Sequence, residues 1–110
     1  METQLREGLR AAMRSRDAVA TAALRSALGA LGNATAVPPA ALSGGSEHFA
    51  GSAVGVGAAE APRRVLTDAE SAAVVRAEID ERLAAAARYG PGPAADRLRA
   101  EAAVLQPYLD

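Results

Sequence analysis

The sequence predicts an all-α protein: a four-helix antiparallel bundle of two helical hairpins, with a long flexible loop between helices two and three. Three observations carry that prediction. Alanine supplies 30 of the 110 residues, against 11 Leu, 8 Val and 1 Ile, and alanine combines the highest helix propensity with no loss of side-chain entropy. Apolar residues recur at three- and four-residue spacing in four stretches, whereas no stretch shows the period-two alternation of a half-buried strand. Between the second and third stretches, Gly and Pro collect in a segment without periodicity. A chain of this length suits one domain, 1–110, and its scarcity of bulky aliphatics implies a thin core.

The first helix is expected over residues 2–15, where Leu5, Leu9, Ala12 and Met13 form one apolar stripe beside Arg6, Arg10 and Arg14. Asp17 is placed to cap a second helix over about 17–33. Its core face is Ala20, Leu24, Ala27, Leu28 and Leu31, and a second face of Ala22, Ser26 and Gly29 is small enough to admit a neighbour. That puts helix two at the centre of the bundle. Gly29 and Gly32 weaken its end.

Residues 35–64 contain Pro38, Pro39, Gly44, Gly45, Gly51, Gly55, Gly57 and Pro62, and read as a mobile loop. Regularity resumes at Leu66-Thr67-Asp68-Ala69-Glu70, where Thr67 and Glu70 have the spacing of a capping box. A third helix over 67–89 should turn Val75, Ile79, Leu83 and Ala86 inward, leaving Arg76 with Asp80 and Glu78 with Arg82 as ion pairs on exposed turns. Gly90-Pro91-Gly92-Pro93 ends it, with Pro93 suited to the first position of a fourth helix over 93–109. There Leu98, Ala102, Leu105 and Leu109 make the stripe, and Pro107 stiffens or kinks the last turn. Short first and third connections imply antiparallel neighbours.

Composition excludes several chemistries. The chain has 12 Arg, no Lys and no Cys. It therefore has no disulfide, thiol nucleophile or Cys-ligated zinc, and no phosphate-binding lysine, Schiff base or Ser-Ser-Lys triad. A net charge of −1 gives no global field toward nucleic acid or an anionic membrane, and no DNA partner is expected. The small, apolar run 18–32 is broken by Arg25 and preceded by Glu2, Glu7 and Asp17, so it does not read as a secretion signal, and no run has the ~20 apolar residues of a membrane span. A cytoplasmic location is expected.

No catalytic residue, cofactor or metal ligand set is predicted. His48, the single histidine, lies in the loop without a partner and reads as a solvated side chain. The segment from Gly55 to Glu60 begins like a dinucleotide fingerprint but ends in an acid and lacks the flanking strand and helix. Glu78 and Glu101 could face each other as paired carboxylates, but the E-x-x-H motif of bundle metal sites is missing, and ordinary ion pairing is the expectation. Arg6, Arg10 and Arg14, followed by Arg16 and Arg25, give residues 1–34 five Arg against three acids, a local net of +2. Such a stripe suits the phosphates of a structured RNA, or is simply a solvated face. Tyr89 and Tyr108 are read as core-edge residues.

The order Arg16-Asp17, Leu24-Arg25, Asn33, Leu66-Thr67-Asp68-Ala69-Glu70, Glu78, Arg82, Tyr89, Glu101, Leu105 and Tyr108-Leu109 resembles the GatB/YqeY family, whose members are related to the tail of the tRNA amidotransferase B subunit. The resemblance covers about 75 residues of both helical portions. It implies an N-terminal helical domain normally followed, after a Tyr-Leu-Pro, by a smaller helical domain, with the related tail contributing to tRNA binding. It also implies a family label of carbon-nitrogen ligase activity with glutamine as amido donor. Here the chain reads Tyr108-Leu109-Asp110, residues 35–64 exceed the usual short link, and Gly90-Pro91-Gly92-Pro93 stands in place of a Gly-Arg turn. The resulting expectation is a non-catalytic accessory or adaptor domain, associated with tRNA or an amidotransferase-like complex. The alternative is a protein-protein interaction module using the loop or an exposed helix face.

Overall fold

A computed structural model describes residues 1–36 and 64–110, which contain four α-helices and no strand. In chain order they are α1 (Glu2–Ser15), α2 (Ala18–Thr35), α3 (Asp68–Tyr89) and α4 (Pro93–Leu105), followed by one 3₁₀ turn, Gln106–Leu109. The expected loop, with His48 and the glycine-rich segment from Gly55 to Glu60, lies outside the described residues apart from its ends.

Each boundary has a local cause. α1 closes in a Schellman motif: Asp17 N–H donates to the Ala12 carbonyl at 2.9 Å and Arg16 N–H to that of Met13 at 3.2 Å. Arg16 itself occupies the left-handed region, φ 59°. Asp17 then caps α2, its Oδ1 accepting the Ala20 N–H at 3.0 Å. The capping box is complete: Glu70 N–H donates to Thr67 Oγ1 at 3.0 Å, and Thr67 N–H to Glu70 Oε1 at 2.9 Å. Gly90 and Gly92 both take positive φ between α3 and α4, and Pro93 opens α4. At the far end Pro107 falls within the 3₁₀ turn, which tightens the chain where an α-helix would require the proline N–H.

α1 packs on α2 and α3 on α4, and α2 also touches both α3 and α4, so it is central, as a core face with a second, small face implied. Arg64 N–H donates to the Thr35 carbonyl at 2.8 Å, and its Nε to that of Ala34 at 3.3 Å. The end of α2 and the approach to α3 are therefore fastened together, whatever the length of chain between them. Leu5, Val75 and Leu105 are the largest fully buried side chains, joined by Leu24, Leu31, Ile79 and the alanines Ala12, Ala23, Ala27 and Ala102. At roughly 2 kcal/mol for each large aliphatic, this is a core with little margin. Its alanines let the helices approach closely.

Four expectations fail. Met13 is 50% exposed and Leu83 46%. Each sits eight residues beyond the start of its stripe, about 80° around the helix, and has rotated off the buried face. Tyr89 is 70% exposed rather than at the core edge. Gly29 faces open space, so of the second small face on α2 it is Ser26 that meets α3, not the glycine.

Gly8 sits in the middle of α1 for a non-local reason. A Cβ there would overlap the Tyr108 hydroxyl and lie 3.2 Å from its Cζ. Gly8→Ala should therefore lower stability by about 1 kcal/mol, the overpacking penalty exceeding the gain in helix propensity. Gly8→Ala with Tyr108→Phe should recover at least wild-type stability in urea unfolding, and no recovery would refute the contact.

The Glu70 carboxyl is held below the ordinary carboxylate range, first by the Thr67 N–H and then by Arg64, whose Nη2 lies 3.1 Å from Oε2. Its contribution to stability is full above the ordinary carboxylate value and disappears as pH falls through the lowered one. Glu70→Gln should preserve the box but flatten the acid limb of the stability profile. An unchanged limb would count against this coupling.

Candidate functional site

Two polar constellations emerge, one inside the bundle and one on its surface. The inner one centres on Arg82, at the same rotation around α3 as Val75 and Ala86, the position from which Leu83 has turned away. Its Nη1 lies 3.1 Å from Glu78 Oε1, one turn earlier on the same helix, and its Nε 3.0 Å from Glu101 Oε1 on α4. Arg82 Nη1 also donates to the Glu78 carbonyl at 3.1 Å. Ser26 Oγ on α2 donates to Glu78 Oε1 at 2.6 Å, and Arg97 Nε to Glu101 Oε2 at 3.1 Å. The Arg82 side chain is only 13% exposed.

The predicted pair Glu78 with Arg82 thus forms, but indoors rather than on an exposed turn. Arg76 and Asp80 make no ion pair. Glu78 and Glu101 do come together across the helices, with a guanidinium between them, as ordinary ion pairing requires. Among the described residues no buried side-chain nitrogen or oxygen lacks a hydrogen bond, and no three His, Cys, Asp or Glu side chains are grouped to hold a metal. The Ser26 hydroxyl donates to a carboxylate already engaged by Arg82. That contact joins α2 to α3 rather than arming a nucleophile.

The outer constellation is cationic. Arg6, Arg10 and Arg14 follow one another about 40° apart around α1, on the side away from Leu5 and Ala12. Arg6 is neutralised by Glu2 at 2.9 Å. Arg10, Arg14, Arg16 and Arg25 have no carboxylate within ion-pairing distance among the described residues, and neither do Arg76 and Arg88 on α3, whereas Arg64, Arg97 and Arg99 each have one and Arg82 has two. Arg16 and Arg25 share a shallow concavity at the α1–α2 corner with Met13. Of the other residues in the family-like series, Asp17, Thr67 and Glu70 are helix caps and Tyr108 packs on Gly8, while Asn33 and Tyr89 are exposed and belong to neither constellation.

Sequence reasoning named Glu101 opposite Glu78 but missed its bond to Arg82 and the contact from Ser26. Arg82 with Glu78 is legible as an i, i+4 pair, but Glu101 is 19 residues away and Ser26 is 52 from Glu78. The available signal was the position of Arg82 on the apolar stripe.

No helix among the described residues is long and apolar enough to cross a membrane. No family model, curated protein or solved structure matches the chain.

Removing Arg82 would leave two largely buried carboxylates facing each other. Arg82→Ala should destabilise the fold by about 3 kcal/mol, against about 0.5 kcal/mol or less for exposed Arg88→Ala. Urea midpoints followed by helical circular dichroism would decide it, and similar midpoints for the two variants would show that the cluster is not a brace.

Proposed function

We propose that the chain is a non-catalytic accessory domain that binds the phosphate backbone of a structured RNA through the arginine side of α1 and α2. The observation that carries this reading is the uneven pairing of its cations. α3, α4 and the approach to α3 match most of their arginines to carboxylates, while the first hairpin leaves four exposed. Of its three acids, Glu2 is held by Arg6 and Asp17 by the cap of α2. Unpaired guanidinium groups along one helix face suit phosphate oxygens, which they can engage in a bidentate manner.

The residue series resembling the GatB/YqeY family supports tRNA, or a tRNA-amidotransferase-like complex, as the setting. The ligase activity attached to that family is not proposed for this chain. Its inner acids are braced by Arg82, and its sequence supplies neither Cys nor Lys. A protein-interaction module is the second reading, favoured by the apolar groove where Leu83 lies half exposed beside Ile79, Ala103 and Pro107.

Bulk tRNA titrated at two salt concentrations tests the first reading. Affinity should fall with salt through counterion release, and Arg10→Ala with Arg14→Ala should weaken binding and make the log-log salt slope shallower by about 2. No binding by the wild type at low salt, or indistinguishable binding by the variant, would remove the RNA reading. If, in that case, Leu83→Arg abolished capture of a defined protein partner, the second reading would replace it.

A further inference from the structure

The concavity at the α1–α2 corner has a volume of about 460 Å³ and is lined by Met13, Arg16, Ala18, Thr21, Ala22 and Arg25. Its chemistry is two cations, one hydroxyl and an apolar floor, with no acid among the lining residues. Among the described residues, Arg25 Nη2 has the Met13 sulfur as its hydrogen-bond partner, at 3.9 Å, a weak acceptor for a guanidinium, and Arg16 has no ion pair. It is also the one non-glycine residue with positive φ among the described residues, at the Schellman position that glycine fills best. The turn would form more easily without this side chain. An unfavourable backbone state retained around a free cation points to a role for that cation outside the fold.

We infer that this corner seats an unpaired nucleotide, with its phosphate between the Arg16 and Arg25 guanidinium groups and its base against Met13, Ala18 and Ala22. The inference rests on the RNA reading above and names the part of the RNA that this corner would take. Planar guanidinium forks match phosphate oxygens and also stack on bases. A half-exposed thioether beside alanines offers a polarisable, adaptable apolar surface against which a base can pack. A base inside a duplex cannot lie on this floor, so the nucleotide must be splayed out. Arg14 and Arg10 continue along α1 from the corner, where phosphates of the adjoining helix would run.

The test uses the full chain and two labelled hairpin RNAs, one blunt and one with a short unpaired 3′ tail, followed by fluorescence anisotropy. The wild type should prefer the tailed hairpin about fivefold or more, the scale of one added guanidinium–phosphate contact. Arg16→Gly and Arg25→Ala should each bring the ratio of the two affinities close to one. Arg16→Gly should also melt at or above the wild-type temperature, which separates loss of binding from loss of fold.

Equal wild-type binding of the two hairpins, or an intact preference in both variants, would overturn the nucleotide seat while leaving the Arg10 and Arg14 surface standing. Absence of hairpin binding by the wild type would overturn both. Adenosine monophosphate alone distinguishes the source: saturation of the Met13 methyl shift at micromolar nucleotide, with no effect of the tail, would overturn RNA as the occupant in favour of a free nucleotide. Competition by a Glu-rich peptide as effective as that of the tail would overturn the inference in favour of a protein partner.

Discussion

The constraint on which the rest of the structure depends is the placement of one arginine where a thin core would ordinarily have an aliphatic side chain. Alanine-rich helices approach one another closely but offer little to distinguish one register from another, because one alanine packs much like the next. Arg82 removes that ambiguity. Its guanidinium is paired with Glu78 one turn before it and with Glu101 reaching it from α4, and Ser26 on α2 donates to the same Glu78 oxygen that Arg82 engages. Three helices are thereby fixed in axial position by directional bonds rather than by shape. Such a cluster adds modest net stability when intact, since burying its charges offsets much of their attraction, yet breaking it is severe. Its contribution here is to specify a single arrangement.

The fold was legible in the sequence because its signals are local. Helical spacing, the Thr67 and Glu70 box, the Asp17 cap and Pro93 after Gly92 act within a turn or two of chain, and the structure places helices accordingly. Burial was legible only where the stripe is narrow. Leu5 and Ala12, or Val75, Ile79 and Ala86, lie within a narrow arc, whereas Met13 and Leu83 drift about 80° from the start of their stripes and emerge into solvent. The inner cluster was half visible. An i, i+4 rule finds Glu78 with Arg82 but cannot see Glu101 or Ser26, which arrive through the tertiary fold. The contact between Gly8 and Tyr108 left no local trace, since a glycine in a helix could equally have been a weak point.

The two hairpins divide their roles. In α3 and α4, Arg82, Arg97 and Arg99 each face a carboxylate, while Arg76 and Arg88 have none among the described residues. α1 is joined to the bundle mainly through α2, with Tyr108 against Gly8 as a further contact, and its outer side carries cations that nothing in the fold requires. A surface of that kind can exchange solvent and counterions for a partner without disturbing the brace.

Several residues break the local rules of their own elements, Gly29 in α2 among them, and three of them can be compared directly. Gly8 lowers the helix propensity of α1, but Tyr108 fills the space its missing Cβ leaves. Arg82 carries a charge on an apolar stripe, but two carboxylates receive it. Arg16 adopts a left-handed backbone that disfavours any side chain, and no group in the described structure receives its guanidinium. Natural sequences depart from local consistency chiefly where packing compensates or where function imposes the departure. Compensation is visible at Gly8 and Arg82 and not, among the described residues, at Arg16, and the proposed role of the α1–α2 corner rests on that contrast.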